Sequence, residues 1–262
     1  WMAAWESRIA TEEEFMSRQG VDLVLSDVPA YPISAASQAG VPGLVVSNFT
    51  WEGIYRRLLT LSPEAGLLFR AYREATLALI LPFEYGMEIF PRALRVPLLV
   101  RTNTKSRAEL RKECGIGDEE TLVYLEPGLS GRPSRSRGVR YLLSSRSAPV
   151  AEPGDLTISS RETKTQDWIG MCDLVVAKCG YSTVSEALTA SVPLVVWQRD
   201  GFAEDEAIAA KVGDLGIGAV RSPADIVSQG IDDIVSLLPE YRERFDSLPS
   251  QFTGNGARAI AG

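Results

Sequence analysis

Short apolar runs alternate with stretches of helical spacing along the first fifty residues. Residues 3–18 place apolar side chains at helical intervals, and 21–25 predict a short buried strand rich in Val and Leu. Residues 29–39 predict a second helix, and 43–47 predict a second strand. This order of helix, strand, helix and strand contains a βαβ unit, which predicts a parallel sheet.

The same alternation continues to the end of the chain. A long helical region is predicted over 51–78 and a short strand over 79–82, and the proline-containing stretch 91–100 predicts an extended connector. We place a domain boundary there, giving an N-terminal domain over 1–100 and a C-terminal domain over 101–262. The second domain has predicted strands at 121–125, 139–143, 156–159, 174–177, 191–197 and 216–220, with helices at 107–114, 166–171, 205–212 and 223–238.

Composition and charge exclude several classes of function. The chain has 262 residues, 45% of them apolar and 23% charged, with a net charge of −7. These values are typical of a globular protein and argue against a nucleic-acid surface, which needs a concentrated basic face. Basic residues between 132 and 146 are interspersed with Ser, Gly and Pro, which favours a solvated loop.

The cysteine count and the lack of long apolar runs indicate the cellular compartment to expect. The three cysteines show neither a zinc-site spacing nor an even count, so a reducing compartment is expected. The sequence shows neither a signal peptide nor a run of the roughly 18 apolar residues that a membrane helix needs. A cytoplasmic protein is therefore expected. The sequence begins at Trp1 and contains no histidine, so we expect an incomplete N-terminal domain.

The stretch 171–188 carries the clearest candidate site. A buried strand is predicted over 174–177 and breaks at Lys178, Gly180 permits a tight turn, and a helix follows that Ser182 or Thr183 is expected to cap. Glu186 follows at a spacing close to that of a capping box. The backbone N–H groups and positive end of such a helix favour an anion, so this turn predicts a phosphate-binding pocket.

Other candidate residues follow predicted strands, where open parallel sheets bind their ligands. Gly128 and Ser130 lie in the loop after strand 121–125 and can line a diphosphate. Asn48 and Trp51 follow the second strand of the first domain. Trp51 and Tyr55 either stack on a substrate ring or fill the core beneath a loop, and the sequence leaves both open.

Several blocks of sequence resemble one family. The block 172–188 followed by Val192-Pro-Leu-Val-Val196 resembles the donor-site motif of GT-B glycosyltransferases of family 28. The resemblance is closer to the glycosyltransferase-like N-terminal half of plant-type L-arabinokinases and their bacterial relatives. The further blocks that carry it are Leu25-Ser-Asp-Val-Pro29, Ser47-Asn-Phe-Thr-Trp51, Val96-Pro-Leu-Leu-Val-Arg101, Arg199-Asp-Gly-Phe-Ala-Glu204 and Asn255-Gly256.

The resemblance implies an α/β protein of GT-B fold, with two Rossmann-like domains whose parallel sheets face a cleft. It implies a UDP-sugar site in the second domain, where Glu186 would hold the ribose hydroxyls. Gly180, Ser182 and Thr183 would present donors to the diphosphate, and Arg199 is the nearest cation. Glu186 can also act as a helix-capping residue, and Arg199 can equally be an ordinary surface residue.

Two departures from the family bear on catalysis and on donor choice. Asp205 and Glu206 fall where the family carries polar contacts to the donor sugar, but here both are acids. The glycine-rich, histidine-bearing loop of the family is absent, and inverting transfer needs a general base. Asp27, at the end of its strand, is the one substitute that the sequence offers. It can equally cap the segment that follows.

The expected function is metal-independent transfer of a sugar from a nucleotide donor, with UDP as the expected nucleotide, to an unidentified acceptor. No Asp-x-Asp metal motif occurs, and neither a metal nor a separate cofactor is expected. The sequence also lacks a kinase phosphate loop, so kinase activity is not carried over from the arabinokinases. The alternatives are a catalytically inactive nucleotide-sugar-binding or regulatory module, and a hydrolase or epimerase acting on the same donor. The sequence predicts no oligomeric state.

Overall fold

The computed structural model describes residues 4–59, 63–129, 131–133, 138–144, 151–159 and 161–261. The chain divides into two units by its internal contacts. The first unit comprises Trp1–Pro97, Gly201–Ala207 and Arg258–Gly262, and the second comprises Leu98–Asp200 and Ile208–Ala257. Segments 201–207 and 258–262, which the sequence analysis assigned to the second domain, thus belong to the first unit.

The first unit contains a parallel sheet with helices packed on it. Its strand order is β1-β2-β3-β4, and the register places Val24 opposite Gly43. Ile33, Val45 and Tyr72 are fully buried in its apolar core. The strands are β1 Val24–Ser26, β2 Gly43–Phe49, β3 Leu77–Tyr85 and β4 Ala93–Arg95, and the helices are α1 Trp5–Gln19, α2 Tyr31–Ala39, α3 Trp51–Leu58 and α4 Pro63–Arg73.

The prediction of one long helix over 51–78 is wrong in two respects. The backbone leaves the helical region at Leu59, and a separate helix begins at Pro63, where proline is tolerated because a first-turn N–H needs no partner. The following strand begins at Leu77, inside the predicted helix. Pairing of β3 with β2 accounts for this, since long-range strand pairing outweighs local helical spacing.

The start of α3 is fixed by a buried threonine. The Thr50 hydroxyl accepts a hydrogen bond from the Gly53 N–H at 3.1 Å and donates to the Gly86 carbonyl at 2.9 Å. Gly86 has φ +66°, and a Cβ atom at that position would lie 2.9 Å from the Thr50 hydroxyl oxygen. These contacts hold the amino end of α3 at the carboxyl end of β2.

The second unit contains a parallel sheet with the order β10-β9-β8-β5-β6-β7. Counted along the chain, this is the order 3-2-1-4-5-6 of a doubly wound fold, and it confirms the predicted Rossmann-like sheet. The order reverses between β5 and β8, which is where such sheets bind ligands. The strands are β5 Thr121–Leu125, β6 Val139–Ser144, β7 Leu156–Ile158, β8 Leu174–Lys178, β9 Leu194–Trp197 and β10 Gly218–Val220.

The helix predicted over 223–238 is interrupted. Gly230 adopts φ +74°, a conformation that does not continue a right-handed helix, so α9 ends before it and α10 begins after it. Helix α8 begins in a segment of the first unit and continues into the second. The remaining bounds are α5 Arg107–Glu113, α6 Thr165–Gly170, α7 Tyr181–Thr189, α8 Ala203–Leu215, α9 Pro223–Gln229, α10 Asp232–Ser236, α11 Leu238–Phe245, α12 Ser250–Thr253 and α13 Gly256–Ala261.

Asp173 and three arginines form an ion network at the amino end of β8. The Asp173 carboxylate accepts hydrogen bonds from Arg107 at 2.6 Å, from Arg111 at 3.0 Å and from Arg242. It also accepts the Leu122 N–H at 2.9 Å. Burial alone would raise the pKa of this carboxyl, but the backbone donor and the three arginines outweigh it, so the pKa is lowered. The network ties α5 and α11 to the sheet.

The helices in the described part of the chain include none that is both long enough and apolar enough to cross a membrane. Nor do its His, Cys, Asp and Glu side chains form a group of three or more that could hold a metal ion.

Candidate functional site

The turn between β8 and α7 presents the amino end of a helix. Gly180 is the residue before the helix, with an extended backbone, and helix α7 begins at Tyr181. The prediction that Ser182 or Thr183 caps α7 is wrong, because the helix starts earlier and both hydroxyls lie inside its first turn. Glycine has no side chain with which to cap, so the residue before the helix offers the first-turn N–H groups no side-chain acceptor.

Glu186 lies in the wall of a cavity within the second unit. The cavity measures about 450 Å³, and Ser182, one turn earlier on α7, shares its wall. Glu186 is only 5% exposed. Its Oε1 accepts a hydrogen bond from Arg101 at 2.7 Å, and its Oε2 accepts one from the Thr165 hydroxyl at 3.3 Å. The other lining residues are Leu99, Val100, Arg101 and Ala257.

Arg101 is a candidate site residue that lies in the block 96–101 but was not predicted as one from the sequence. Its guanidinium donates to the Thr163 carbonyl at 2.5 Å and to the Thr165 hydroxyl at 2.6 Å, besides Glu186. The backbone N–H of Leu99 donates to the Tyr181 hydroxyl at 3.0 Å. Segment 99–101 is thereby attached to the first turn of α7 and to the start of α6. A contact across 85 positions leaves no signal in local spacing.

A second missed pair lies where the strand order reverses. Glu126 follows β5, Lys178 ends β8, and their carboxylate and ammonium groups are 3.2 Å apart. Burial raises the pKa of Glu126, and the opposing effects of Lys178 and Arg199 do not cancel this increase. Both charged residues are visible in the sequence, but only the adjacency of β5 and β8 brings them together.

The loop after β5 contains two of the predicted residues. Gly128 has φ +128°, and a Cβ atom there would lie 3.5 Å from the Trp197 ring, so the loop backbone passes close to β9. Ser130 lies outside the described residues. The structure therefore places in the second unit the predicted residues Gly128, Gly180, Ser182, Thr183, Glu186 and Arg199.

The remaining predicted residues belong to the first unit. Asn48 is buried, and its amide donates to the Glu204 carboxylate at 3.0 Å. Asp205 is fully buried, whereas Glu206 pairs with Arg57 at 2.6 Å. Asp205 and Glu206 are thus not brought together with Glu186 in one unit, and Asn48 is occupied by an internal partner.

Asp27 and Trp51 lie near the carboxyl ends of β1 and β2. Asp27 is exposed, directly after β1. The Trp51 ring is 5.3 Å from that of Phe49 and 6.4 Å from that of Phe202, centroid to centroid, in edge-to-face arrangements. Trp51 therefore packs within an aromatic cluster and is also partly exposed.

Comparison with known proteins identifies relatives along most of the chain. No family model matches it. L-arabinokinase of Arabidopsis thaliana is 33% identical over 213 residues, which are 75% of this chain and 20% of that protein, so the chain spans about a fifth of its length. An uncharacterised glycosyltransferase of Methanopyrus kandleri is 23% identical over 280 residues, covering 97% of this chain and 79% of that protein.

Solved structures show the same architecture. The glycosyltransferase VinC, determined in complex with DTDP, superposes with a TM-score of 0.66 at 14% identity, covering 97% of this chain and 73% of that one. At this identity the likeness concerns the fold alone. The predicted α/β fold and the predicted resemblance are confirmed by these findings. The chain has the GT-B fold, and its sequence is similar to L-arabinokinase and to proteins named glycosyltransferase.

Proposed function

We propose that the second unit binds a nucleotide sugar, with UDP as the nucleotide, and that the protein transfers the sugar to an acceptor hydroxyl. The observation that carries the proposal is the position of Glu186. A nearly buried carboxylate lines a cavity together with Ser182, one helical turn from the amino end of α7. Relatives named glycosyltransferase and the GT-B fold support the reaction class.

Glu186 is suited to hold a ribose. An ionised carboxylate accepts charge-assisted hydrogen bonds from two neighbouring hydroxyl groups, which is the pattern that a ribose presents. Arg101 donates to Oε1 and Thr165 donates to Oε2, so each oxygen keeps a second lone pair for a ribose hydroxyl. These two partners orient the carboxylate before the nucleotide binds.

The diphosphate is assigned to the turn after β8. First-turn N–H groups of α7 and the hydroxyls of Ser182 and Thr183 provide donors there, and Gly180 allows close approach to the backbone. Arg199 and Lys178 supply positive charge near the strand-order reversal, and Gly128 contributes loop backbone. Donors of this kind stabilise a leaving diphosphate without a metal ion, so we propose metal-independent transfer.

The first unit is assigned to the acceptor. Asp27 is the proposed general base, because it is exposed at the carboxyl end of β1. Asn48 and Trp51 are proposed to lie on the acceptor side. The role of Asp205 and Glu206 toward the donor sugar stays a prediction, since Asp205 is fully buried and Glu206 pairs with Arg57.

A nucleotide-sugar-binding module without catalysis is the second candidate. Glu126 favours it, since a carboxylate at the strand-order reversal repels a diphosphate at the place where such sheets bind one. The two candidates share the Glu186 site and differ in turnover.

Calorimetric titration with UDP, UDP-N-acetylglucosamine and dTDP tests the binding site. Replacing Glu186→Gln is expected to weaken UDP binding about tenfold or more, because two charge-assisted hydrogen bonds are lost. Glu243→Gln, an exposed change in the same unit, is the matched control. Equal UDP affinity in the wild-type and Glu186→Gln proteins would contradict the proposal.

Release of UDP from UDP-sugars in the presence of EDTA then separates the two candidates. Turnover that survives EDTA and falls in Asp27→Asn supports metal-independent transfer. Tight UDP-sugar binding without release of UDP, also when candidate acceptors are added, selects the binding module.

A further inference from the structure

A cavity of about 260 Å³ lies within the first unit, at the carboxyl edge of its sheet. It is bounded by the amino ends of α1, α2 and α3 and by α4. Four of its lining side chains carry aromatic rings. The lining residues are Trp5, Arg8, Pro29, Ala30, Tyr31, Trp51, Tyr55 and Leu68.

The rings form walls suited to a flat molecule. Trp5 and Tyr31 meet edge to face with centroids 6.4 Å apart, and Trp51 and Tyr55 lie tilted at 6.3 Å. Aromatic side chains bind a further ring in stacked or edge-to-face geometry, so a lining with four rings favours a flat apolar ligand. Tyr31 and Tyr55 add hydroxyl groups to an otherwise apolar lining.

Arg8 places a positive charge at the rim. Its guanidinium lies 5.7 Å from the centroid of the Tyr31 ring, and the side chain is exposed. Among the ion pairs of the described residues, none involves Arg8. A guanidinium keeps its N–H donors in its own plane, where a carboxylate can accept two of them.

The walls are held in place by a buried tyrosine. The Tyr72 hydroxyl donates to the Val28 carbonyl at 2.6 Å and accepts the Trp51 N–H at 3.2 Å. Val28 adopts φ +70°, a costly conformation for a β-branched residue. The turn that leads into Pro29 and Ala30 is thus fixed to the start of α3. Because its walls are already ordered, the cavity binds a ligand with little loss of conformational entropy.

We propose that this cavity binds the acceptor, and that the acceptor carries a flat apolar group of one or two rings with a carboxylate directed at Arg8. The role as an acceptor site rests on the proposed function, whereas binding of an aromatic acid does not. A hydroxyl on such a ring is the group to be glycosylated.

The test uses the full chain and a matched pair of ligands. Calorimetric titrations with 6-hydroxy-2-naphthoate and with its uncharged methyl ester are carried out on the wild-type protein, Arg8→Gln, Trp51→Ala and Arg18→Gln. Arg18 lies on the same helix, is exposed and does not line the cavity, so Arg18→Gln removes the same charge elsewhere.

We expect the acid to bind the wild-type protein about tenfold more tightly than the ester, a preference that one charge-assisted contact supplies. Arg8→Gln should remove this preference, Arg18→Gln should retain it, and Trp51→Ala should weaken both ligands. Absence of binding, or equal preference in Arg8→Gln and wild type, overturns the proposal.

UDP titration of the same variants separates this proposal from the proposed function. UDP should bind Arg8→Gln as it binds the wild-type protein. If the naphthoate pattern holds while UDP fails to bind, the cavity is a site for aromatic acids and the assignment of a nucleotide-sugar donor fails.

Discussion

The Arg101 guanidinium lies 2.7 Å from the Glu186 carboxylate and joins two segments that are 85 positions apart in sequence. The two partners differ in burial, since the side chain of Arg101 is 54% exposed and that of Glu186 is 5% exposed. A buried carboxylate needs hydrogen-bond partners, and Arg101 and Thr165 provide them. Arg101 is therefore a positioning residue for the proposed ribose ligand.

The change Arg101→Gln should reduce the free energy of UDP binding more than it reduces the free energy of unfolding. Arg101 is half exposed, so solvent screens its ion pair, and the Thr165 hydroxyl still donates to the Glu186 carboxylate after the change. We therefore expect a loss of about 1 kcal/mol or less in the free energy of unfolding. Loss of an oriented carboxylate should weaken UDP binding about tenfold. Calorimetry and thermal unfolding measure the two effects, with Arg161→Gln as the exposed control.

A double-mutant cycle distinguishes positioning from a direct contact. If Arg101 acts through Glu186, the double variant Arg101→Gln/Glu186→Gln should bind UDP about as weakly as Glu186→Gln alone. Additive losses in the cycle would show that Arg101 contacts the nucleotide independently.

Glu126→Gln should raise UDP affinity severalfold, because it removes a negative charge next to the proposed diphosphate position. It should also stabilise the protein at neutral pH. The carboxyl pKa of Glu126 is raised above its ordinary value of 4.5, so its contribution to stability is present below pH 4.5 and is lost as the pH rises through the raised pKa.

Chemical unfolding between pH 4 and pH 8 measures this effect. The stability of Glu126→Gln relative to wild type should rise with pH over this range, whereas exposed Glu119→Gln should show no such trend. A constant difference across the range would contradict the assigned burial of the Glu126 carboxyl.

Asp173→Asn should destabilise the second unit by about 3 kcal/mol at neutral pH, because Arg111, 8% exposed, would keep a buried charge without its partner. Because the pKa of Asp173 is lowered, its contribution to stability changes with pH in the opposite direction to that of Glu126. Its contribution is present above the ordinary value of 3.8 and is lost as the pH falls through the lowered pKa. Urea unfolding at pH 7 and at acidic pH should show that the loss in free energy of unfolding caused by Asp173→Asn is smaller at acidic pH.

Thr50→Ala should destabilise the first unit by about 2 kcal/mol. The change removes the cap of α3 and leaves a buried carbonyl at Gly86 without its hydroxyl donor. Thr11→Ala, which removes an exposed hydroxyl on α1, should change the free energy of unfolding by no more than about 0.5 kcal/mol. Similar losses in the two variants would contradict the role given to Thr50.

Local pattern predicted the elements well and the site contacts poorly. The run 121–125 is confirmed as β5 at the same bounds, because its apolar, β-branched residues match a buried parallel strand. The break at Gly230 was visible as a glycine, yet the apolar spacing on both sides suggested one helix. The prediction that Ser182 or Thr183 caps α7 failed because the residue before the helix is Gly180, two or three positions earlier, which moves both hydroxyls into the first turn.

Contacts between distant segments escaped prediction. The Arg101–Glu186 and Glu126–Lys178 pairs depend on which strands and connectors become neighbours. The pair between Asn48 and Glu204 spans 156 positions. No periodicity in the chain encodes such distances, whereas the block around Glu186 could be singled out because strand, turn and helix follow one another locally.

The discontinuity of the first unit has a consequence for synthesis of the protein. Asn48 and Trp51 find Glu204 and Phe202 only after residues 98–200 have been made. The ribosome therefore releases strands β5 to β9 of the second sheet before segment 201–207 of the first unit has been made. The part of the first unit that precedes residue 98 cannot complete its contacts until this segment has been synthesised.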